Sequence, residues 1–280
     1  MPAPLLPLTP AVAVDDDALR AALACAERCA DDAGAVIRPH FRARLVVDDK
    51  AGDDELYDPV TIADRDAETV IRNRLELERP LDGLYGEEHG FRPGRSGLTW
   101  VIDPIDGTRA FISGMPLWGT LIALYDGERP IAGVMDQPFT GERFIGSRLG
   151  ATLTHGGRTT PLATRPCAQL EDAVLYSTHP KLFTGAFEQA AFADLCARVR
   201  MTRFSGDCYA YCMLAAGQID LIVESGLKPY DVQALIPIIE AAGGRMSGWK
   251  GESGAHGGRI VAAGDPLLHA AALEVLAEVP

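Results

Sequence analysis

The chain has 280 residues, of which 47% are hydrophobic, and carries a formal charge of −13 at pH 7. This length is sufficient for one large domain or for two smaller ones that share a core. No apolar run approaches the roughly 20 residues of a membrane span, and the acidic balance argues against nucleic-acid binding. The same negative charge would repel a phosphate ester, so any phosphate site is expected to contain metal ions that reverse the charge locally.

The N-terminal residues 1–17 are predicted to form a flexible extension, because Met1–Val14 is rich in Pro and Ala and lacks the basic start of a signal peptide. The six cysteines form no Cys-x-x-Cys pair and are predicted to be reduced thiols, which fits a cytoplasmic protein. No His pair or Ser has the spacing of a zinc or serine hydrolase.

The first half of the chain predicts helices followed by an antiparallel meander. Helical spacing covers Ala18–Phe41 and continues from near Asp64 to Pro80, with the polar surface loop Asp48–Asp58 between them. A short strand is expected in Gly83–Gly90, and an apolar strand ends at Asp103, where Pro104 should stop it. Four further strand-like segments are separated by turns: Leu117–Tyr125, Ile131–Met135, Arg143–Gly146 and Ala151–Thr154.

From about Thr164 strands and helices alternate, which predicts an α/β layer. The strands are Val174–Ser177, Val199–Phe204, Asp220–Glu224 and Arg259–Ala263. The helices are Gly185–Ala197, Cys208–Ala216, Val232–Ala242 with Pro237 inside it, and Pro266–Ala277. The Gly- and Ser-rich segment Ser247–Gly258 is predicted to be a loop.

The most informative stretch is Trp100–Phe111, W-V-I-D-P-I-D-G-T-R-A-F. Asp103, Asp106 and Thr108 lie where a strand gives way to a helix N-terminus. Oxygen ligands of this kind suit Mg²⁺, and free N–H groups suit a phosphate. The alternative is structural, with Asp106 capping the helix and Asp103 closing a turn.

Three more acids lie at the ends of predicted elements. Asp64 is in the first turn of a helix, Glu87 follows a strand, and Asp231 begins a helix behind a proline. Each has a structural alternative as a helix cap or a solvated loop residue. If these ends converge with Asp103 and Asp106, they form a carboxylate cage for two or more Mg²⁺ ions that could hydrolyse a phosphomonoester.

Four motifs occur in an order that resembles the inositol monophosphatase family of Mg²⁺-dependent, lithium-sensitive phosphatases. They are D-P-V-T-I-A-D (58–64), G-E-E (86–88), W-V-I-D-P-I-D-G-T (100–108) and P-Y-D-V (229–232). The resemblance implies an α/β fold of the layered αβαβα type. An α+β metal-binding subdomain (18–163) would be followed by an α/β subdomain (164–280) that completes the active site.

The resemblance also implies roles for individual residues. Glu87, Asp103 and the carbonyl of Ile105 would hold one Mg²⁺, and Asp103, Asp106 and Asp231 a second. Asp64 and Glu87 would hold a weaker third ion, and Asp64 paired with Thr108 would orient and deprotonate the attacking water. The implied catalytic residues are Asp64, Glu87 and Thr108, and the implied substrate-binding residues are Glu87, Ile105, Asp106, Gly107, Thr108, Gly206, Asp207, Cys208, Glu224 and Asp231.

Some motifs of this chain differ from those usual in inositol phosphatases, and these differences bear on the identity of the substrate. D-G-T-R-A-F-I-S-G (106–114), G-D-C-Y-A-Y (206–211) and L-K-P-Y-D (227–231) resemble the histidinol-phosphatase branch. Histidinol phosphate carries an ammonium group, which Glu224 and Asp207 could pair with, whereas inositol offers only hydroxyls. Inositol-1-monophosphatase activity, or a broad activity on sugar or nucleotide phosphates, is the alternative. A non-catalytic binder would lack a metal ligand, and here none is missing. The family also implies a homodimer.

Overall fold

The computed structural model describes residues 10–44, 46–49 and 59–277. Lys50 and Asp58 of the predicted polar loop, and residues 1–9 of the predicted extension, lie outside the described ranges. Within the described part of that extension, the Val12 N–H donates to the carbonyl of Asp126 at 2.9 Å. No helix in the described ranges is long and apolar enough to cross a membrane.

The described residues form eight α-helices, close to the predicted positions. They are α1 (Asp16–Ile37), α2 (Ile62–Glu78), α3 (Thr108–Ile112), α4 (Ala186–Arg198), α5 (Asp207–Ala215), α6 (Pro229–Val232), α7 (Leu235–Ala241) and α8 (Pro266–Leu276). The helix predicted over Val232–Ala242 is present as α7 but begins later than predicted, because Val232 ends the separate helix α6. Pro237 is the third residue of α7, where its missing N–H would have no partner within the helix.

Fifteen strands are present in the described part of the chain. They are β1 (Asp48–Asp49), β2 (Pro59–Val60), β3 (Gly83–Gly86), β4 (Gly90–Arg92), β5 (Thr99–Asp106), β6 (Gly119–Tyr125), β7 (Pro130–Gln137), β8 (Glu142–Ser147), β9 (Gly150–His155), β10 (Arg158–Pro161), β11 (Val174–Ser177), β12 (Met201–Phe204), β13 (Leu221–Leu227), β14 (Arg245–Gly248) and β15 (Gly258–Ala263). The sequence did not predict β1, β2, β4, β10 or β14, and Asp48 and Asp49 of the predicted polar loop form β1 by pairing with β2. The predicted loop Ser247–Gly258 is therefore wrong at its start, where Ser247 and Gly248 pair with β15.

The strands form two large sheets that follow each other along the chain. The first has the order β10-β9-β8-β7-β6-β5-β3-β4, and it contains the predicted antiparallel meander. The second has the order β12-β11-β13-β15-β14, with β12, β11 and β13 parallel. The transition between the sheets falls between Pro161 and Val174.

Helices cover both faces of the first sheet. Alternate residues of β5 enter two different cores, with Trp100 and Ile102 in the core under α1 and α2 and Val101 in the core under α5 and α7. Helices α5 and α7 also pack on the second sheet, whose far face is covered by α4 and α8. These layers confirm the predicted αβαβα sandwich and explain why β5 reads as a continuous apolar run.

All six cysteines are free thiols, as predicted. Cys25, Cys29, Cys208 and Cys212 are buried in helices, while Cys167 and Cys196 are partly exposed. The cysteines are therefore core or near-surface residues, and no disulfide contributes to the fold.

Candidate active site

The central acidic residues lie on an irregular segment of β5. The sequence predicted that Pro104 would stop the strand. This prediction is wrong, because β5 continues to Asp106. Asp103 pairs with Leu121 and Asp106 with Gly119, so β5 carries one extra residue between these pairs. This bulge contains Pro104, whose missing N–H a regular ladder would not tolerate. It re-aims the strand so that two acids meet at its end.

The sequence left open that Asp106 only caps the helix that follows it. The structure shows that it does not cap this helix. Gly107 is the N-cap of α3, with φ of 84°, and no side chain caps this helix. Asp106 instead uses Oδ2 to accept a hydrogen bond from the Cys208 N–H, at 2.7 Å, in the first turn of α5. The hydrogen bond ties the acidic end of β5 in the first sheet to the helix layer between the sheets.

Asp231 joins Asp103 and Asp106 from the second half of the chain. One oxygen from each of the three carboxylates lies within 4.8 Å of the others. A backbone N–H anchors each side chain, from Ile105 to Asp103 at 3.1 Å and from Lys228 to Asp231 at 2.7 Å. The structure thus brings together three acids that are separated by up to 128 positions in the sequence (231 − 103).

Burial and mutual repulsion make this cluster costly without a cation. Burial, followed by the nearby Glu87 carboxylate, raises the pKa of Asp103 well above its usual range. Burial, followed by Asp231, raises the pKa of Asp106 to about 7, and burial raises that of Asp231 to about 7. Divalent cations would remove this repulsion, and carboxylate oxygens are the ligands that Mg²⁺ prefers. The donor set therefore fits a magnesium site.

Asp64 lies in the first turn of α2, and its side chain has the capping role that this position predicts. Its Oδ2 accepts hydrogen bonds from the Thr61 N–H at 2.9 Å and from the Thr61 hydroxyl at 2.6 Å, forming a capping box. Its Oδ1 is buried and has no hydrogen-bond partner among the described residues. Burial raises the pKa of Asp64 to about 6. A buried carboxylate oxygen without a partner fits a cation ligand.

The predicted pair of Asp64 and Thr108 stays a prediction. Between described residues, the Thr108 hydroxyl donates to the carbonyl of Ile105 at 3.1 Å. Glu87 follows β3, and its N–H donates to the carbonyl of Ile102 at 3.2 Å, beside β5. This places Glu87 at the same end of the sheet as Asp103.

Ten of the predicted site residues line one cavity of about 520 Å³. They are Glu87, Asp103, Ile105, Asp106, Gly107, Thr108, Asp207, Cys208, Glu224 and Asp231. Asp64 and Gly206 do not line it. Further lining residues to which the sequence gave no role include Arg109, Thr178, Tyr211 and Lys228. Arg109 and Lys228 stand directly beside the central and last motifs, which is the signal that could have found them.

Glu224 lies in the middle of β13, level with the carboxyl end of the parallel strand β11. Its Oε1 accepts from the Thr178 N–H at 2.7 Å and its Oε2 from the Tyr211 hydroxyl at 2.9 Å. Burial raises its pKa, and its side chain is fixed by both hydrogen bonds. Ligands in α/β sheets bind at the carboxyl ends of parallel strands, which is where Glu224 borders the cavity.

Asp207 packs directly against the turn that carries Gly107. A Cβ at Gly107 would lie 3.0 Å from the Asp207 Cβ, so this approach requires glycine as much as the φ of 84° does. Asp207 has a positive φ of 43°, as does Ser205 at 69°. Burial, followed by Asp106, raises the pKa of Asp207 to about 8, and Arg109 opposes the shift.

A second cavity of about 410 Å³ adjoins the first. The two share Arg109, Thr178, Leu182 and Asp207. We call this second cavity the side lobe. Its other lining residues include the apolar Met115 and Leu117 and the basic His179 and Lys181. Asp207 therefore borders both the acidic cavity and the more apolar side lobe.

Comparisons with known proteins agree with this geometry. The model of the inositol monophosphatase family matches residues 18–279. The chloroplastic bifunctional phosphatase IMPL2 of Arabidopsis thaliana is 43% identical over 258 residues, 88% of this chain and 72% of the plant protein. A histidinol-phosphatase of Mycobacterium tuberculosis is 36% identical over 213 residues, 75% of this chain and 82% of that protein.

A solved structure of an inositol monophosphatase from Zymomonas mobilis is also similar. It matches with a TM-score of 0.81 at 42% sequence identity, covering 93% of this chain and 99% of that chain. The family is in general Mg²⁺-dependent, which agrees with the carboxylate cluster of Asp103, Asp106 and Asp231. Family match, fold and acidic site lead to one conclusion: the chain is a phosphatase that belongs to the inositol monophosphatase family.

Proposed function

We propose that this phosphatase hydrolyses L-histidinol phosphate to L-histidinol and inorganic phosphate, as a step of histidine biosynthesis. The water oxygen forms a bond to phosphorus while the ester P–O bond breaks, and the departing alkoxide takes a proton. The observation that carries the substrate assignment is Asp207, an acid outside the Asp103–Asp106–Asp231 cluster that borders both cavities.

The phosphate end of the substrate is assigned to the acidic cavity. Asp103, Asp106, Asp231, Glu87, Asp64 and the carbonyl of Ile105 would hold two or three Mg²⁺ ions. Bound there, the ions would supply charge neutralisation and a lowered pKa for water. Thr108 and Asp64 would orient the water and accept its proton, and the N–H groups of Gly107 and Thr108 would bind the phosphate.

The alcohol end is assigned to the region around Asp207. The Asp207 carboxylate would pair with the ammonium of histidinol, with the turn of Gly206 and Cys208 beside it. The side lobe, lined by Met115 and Leu117, offers apolar surface for a flat imidazole ring. Inositol, which has only hydroxyls, would supply no cation to favour the ionised form of Asp207, whose pKa burial raises.

Glu224 also supports the ammonium site, but less directly. Both of its oxygens already accept hydrogen bonds, from the Thr178 N–H and the Tyr211 hydroxyl. A carboxylate oxygen has more than one acceptor direction, so Glu224 can add to the negative field around the ammonium while staying fixed. Asp207 is the more direct partner of the two.

The deciding experiment measures phosphate release with Mg²⁺ on L-histidinol phosphate, inositol 1-phosphate and fructose 1,6-bisphosphate. A kcat/KM about a hundredfold higher for histidinol phosphate, equivalent to about 2.7 kcal/mol, supports the proposal. Comparable rates on all three would indicate a phosphatase of broad specificity. A preference for inositol 1-phosphate would favour the activity named for the similar Zymomonas mobilis enzyme.

The resemblance to the family further predicts a homodimer, and the free cysteines favour a cytoplasmic setting. Size-exclusion chromatography with light scattering tests the first prediction. A monomer at assay concentrations would contradict it.

A further inference from the structure

We infer that Glu68 is a positioning residue for the metal site, acting through the turn that carries Glu87. Glu68 lies on α2 one turn after Asp64, and its side chain is fully buried. A buried carboxylate needs partners that compensate its charge. All of the partners described below belong to, or hold, the turn between β3 and β4.

The Glu68 carboxylate binds two consecutive N–H groups of this turn. Oε2 accepts from the Glu88 N–H at 2.6 Å, and Oε1 accepts from the His89 N–H at 3.2 Å. Hydrogen bonds to an ionised acceptor are stronger than neutral ones and are directional. The two bonds therefore fix the backbone immediately after Glu87.

Arg72 completes the clamp from the next turn of α2. Its Nε donates to Glu68 Oε1 at 2.6 Å, and its Nη2 donates to the carbonyl of Gly90. The guanidinium compensates the Glu68 charge, so the carboxylate does not add to the repulsion among the cavity acids. Both ends of the Glu87–Gly90 turn are thus attached to one face of α2.

Further contacts show that the turn is built around this carboxylate. A Cβ at Gly86 would lie 1.9 Å from Glu68 Oε1, so any side chain there would displace the carboxylate from the strand end. The His89 Nε2 lies 3.1 Å from the Thr69 hydroxyl oxygen, on the same helix face.

The consequence for the metal site rests on the proposed role of Glu87 as a ligand. Asp64 and Glu87, the two ligands proposed for the third ion, come from one helix and from a turn clamped to that helix by Glu68. Residues that orient metal ligands contribute about 10- to 100-fold to metal affinity. Glu68 therefore sets the separation of Asp64 and Glu87 without touching substrate or metal.

The test replaces Glu68 by Gln and titrates Mg²⁺ into the metal-free protein by calorimetry. Gln keeps the shape but loses the charge and one acceptor. We expect the Mg²⁺ dissociation constant to rise at least about tenfold, while kcat at saturating Mg²⁺ changes less than threefold. Hydrogen exchange at the Glu88 and His89 amides should accelerate in the metal-free protein, which is a readout independent of activity.

Asp220→Asn is the matched control. Asp220 is equally buried, pairs with Arg165 at 2.6 Å and accepts from the Val174 N–H at 2.8 Å, but it precedes β13 at the end remote from Glu224. It should lower the melting temperature and leave the Mg²⁺ affinity unchanged. If Glu68→Gln does not fold, Glu68→Asp carries the same comparison, because it keeps the charge and shortens the reach.

Glu87→Gln separates this inference from the proposed function. If Glu87→Gln weakens Mg²⁺ binding and the Glu68 variant does not, the positioning role is overturned while the metal set stands. If Glu87→Gln leaves Mg²⁺ binding unchanged, the proposed metal set is wrong and the role of Glu68 falls with it. Equal loss of affinity in Asp220→Asn would also overturn the inference, since any buried ion pair would then have the same effect.

Discussion

Asp106→Asn should make the metal-free protein more stable while impairing the enzyme. Asp106 keeps a carboxylate in a partly buried cluster, beside Asp231, where ionisation is unfavourable. Asn removes the charge but retains an oxygen that can accept the hydrogen bond from the Cys208 N–H. The structure thus predicts opposite effects of one substitution on stability and on turnover.

The magnitude follows from the pKa of Asp106, which burial and Asp231 raise from 3.8 to about 7. The folded state then binds more protons than the unfolded state between these values, so stability falls as pH rises through this window. Each tenfold change in acidity is worth about 1.4 kcal/mol, which gives up to about 4 kcal/mol above pH 7. We expect Asn to recover about 2 to 4 kcal/mol at pH 8, or roughly 5 to 15 °C.

The assay is thermal unfolding of wild type and variant in a chelator at pH 8 and at pH 4.5, followed by circular dichroism. The difference in melting temperature should be large at pH 8 and small at pH 4.5, where the wild-type carboxyl is protonated. Added Mg²⁺ should raise the melting temperature of the wild type more than that of the variant. Asp15→Asn is the control, because exposed Asp15 also accepts one backbone N–H, from Ala18 at the start of α1.

Two outcomes would refute this reasoning. A variant that is less stable than wild type in chelator at pH 8 would show that the Asp106 charge is already compensated in the metal-free fold. An equal gain at pH 8 and pH 4.5 would show that the effect of Asn is not the removal of an unfavourable charge. Either result would remove the electrostatic argument for a divalent cation at Asp106.

Four other predictions follow from the same cavity. Asp103→Asn should abolish phosphate release with an unchanged circular dichroism spectrum, and an active variant would contradict the metal site. Asp207→Asn should raise KM for histidinol phosphate at least about tenfold more than for inositol 1-phosphate, as expected when a charge-assisted contact is lost; an equal rise would remove the ammonium site.

Mg²⁺ affinity should weaken as pH falls from 8 to 6, because protons compete for Asp106 and Asp231, whose pKa values are about 7. Calorimetry at both pH values measures this, and a constant affinity would contradict the raised pKa values. Gly107→Ala should destabilise the protein by about 1 to 2 kcal/mol and lower kcat, since φ is 84° and Asp207 blocks the Cβ. Thermal unfolding measures the change in stability, and a phosphate-release assay measures kcat. A variant that matches wild type in both would show that the turn can relax.

Most of the helices and strands, and the identity of the candidate acids, could be predicted from the amino-acid sequence alone. Periodicity placed α1, α2 and the meander within a few residues, because apolar spacing directly reflects which face is buried. The motif order identified Asp64, Glu87, Asp103, Asp106 and Asp231 before any geometry was known. Its local errors occurred where tertiary contacts override local preference.

Pro104 shows this for the strand. A proline is expected to end β5, yet the bulge leaves its missing N–H outside the regular ladder, so the strand continues to Asp106. Strand β14 escaped prediction because its short Arg245–Gly248 segment is defined by pairing with β15 and not by a local apolar pattern. Both features depend on neighbours that the local sequence does not contain.

Only the folded chain shows that the candidate acids meet at one site. Asp106 could have capped its own helix, but the fold directs it to the Cys208 N–H of α5 and towards Asp231. Glu68 carries no signal beyond a helical position, and only the folded chain shows that it holds the turn after Glu87. The residue types follow from the chain, whereas distances between residues far apart in sequence are set by how the two sheets and their helices pack.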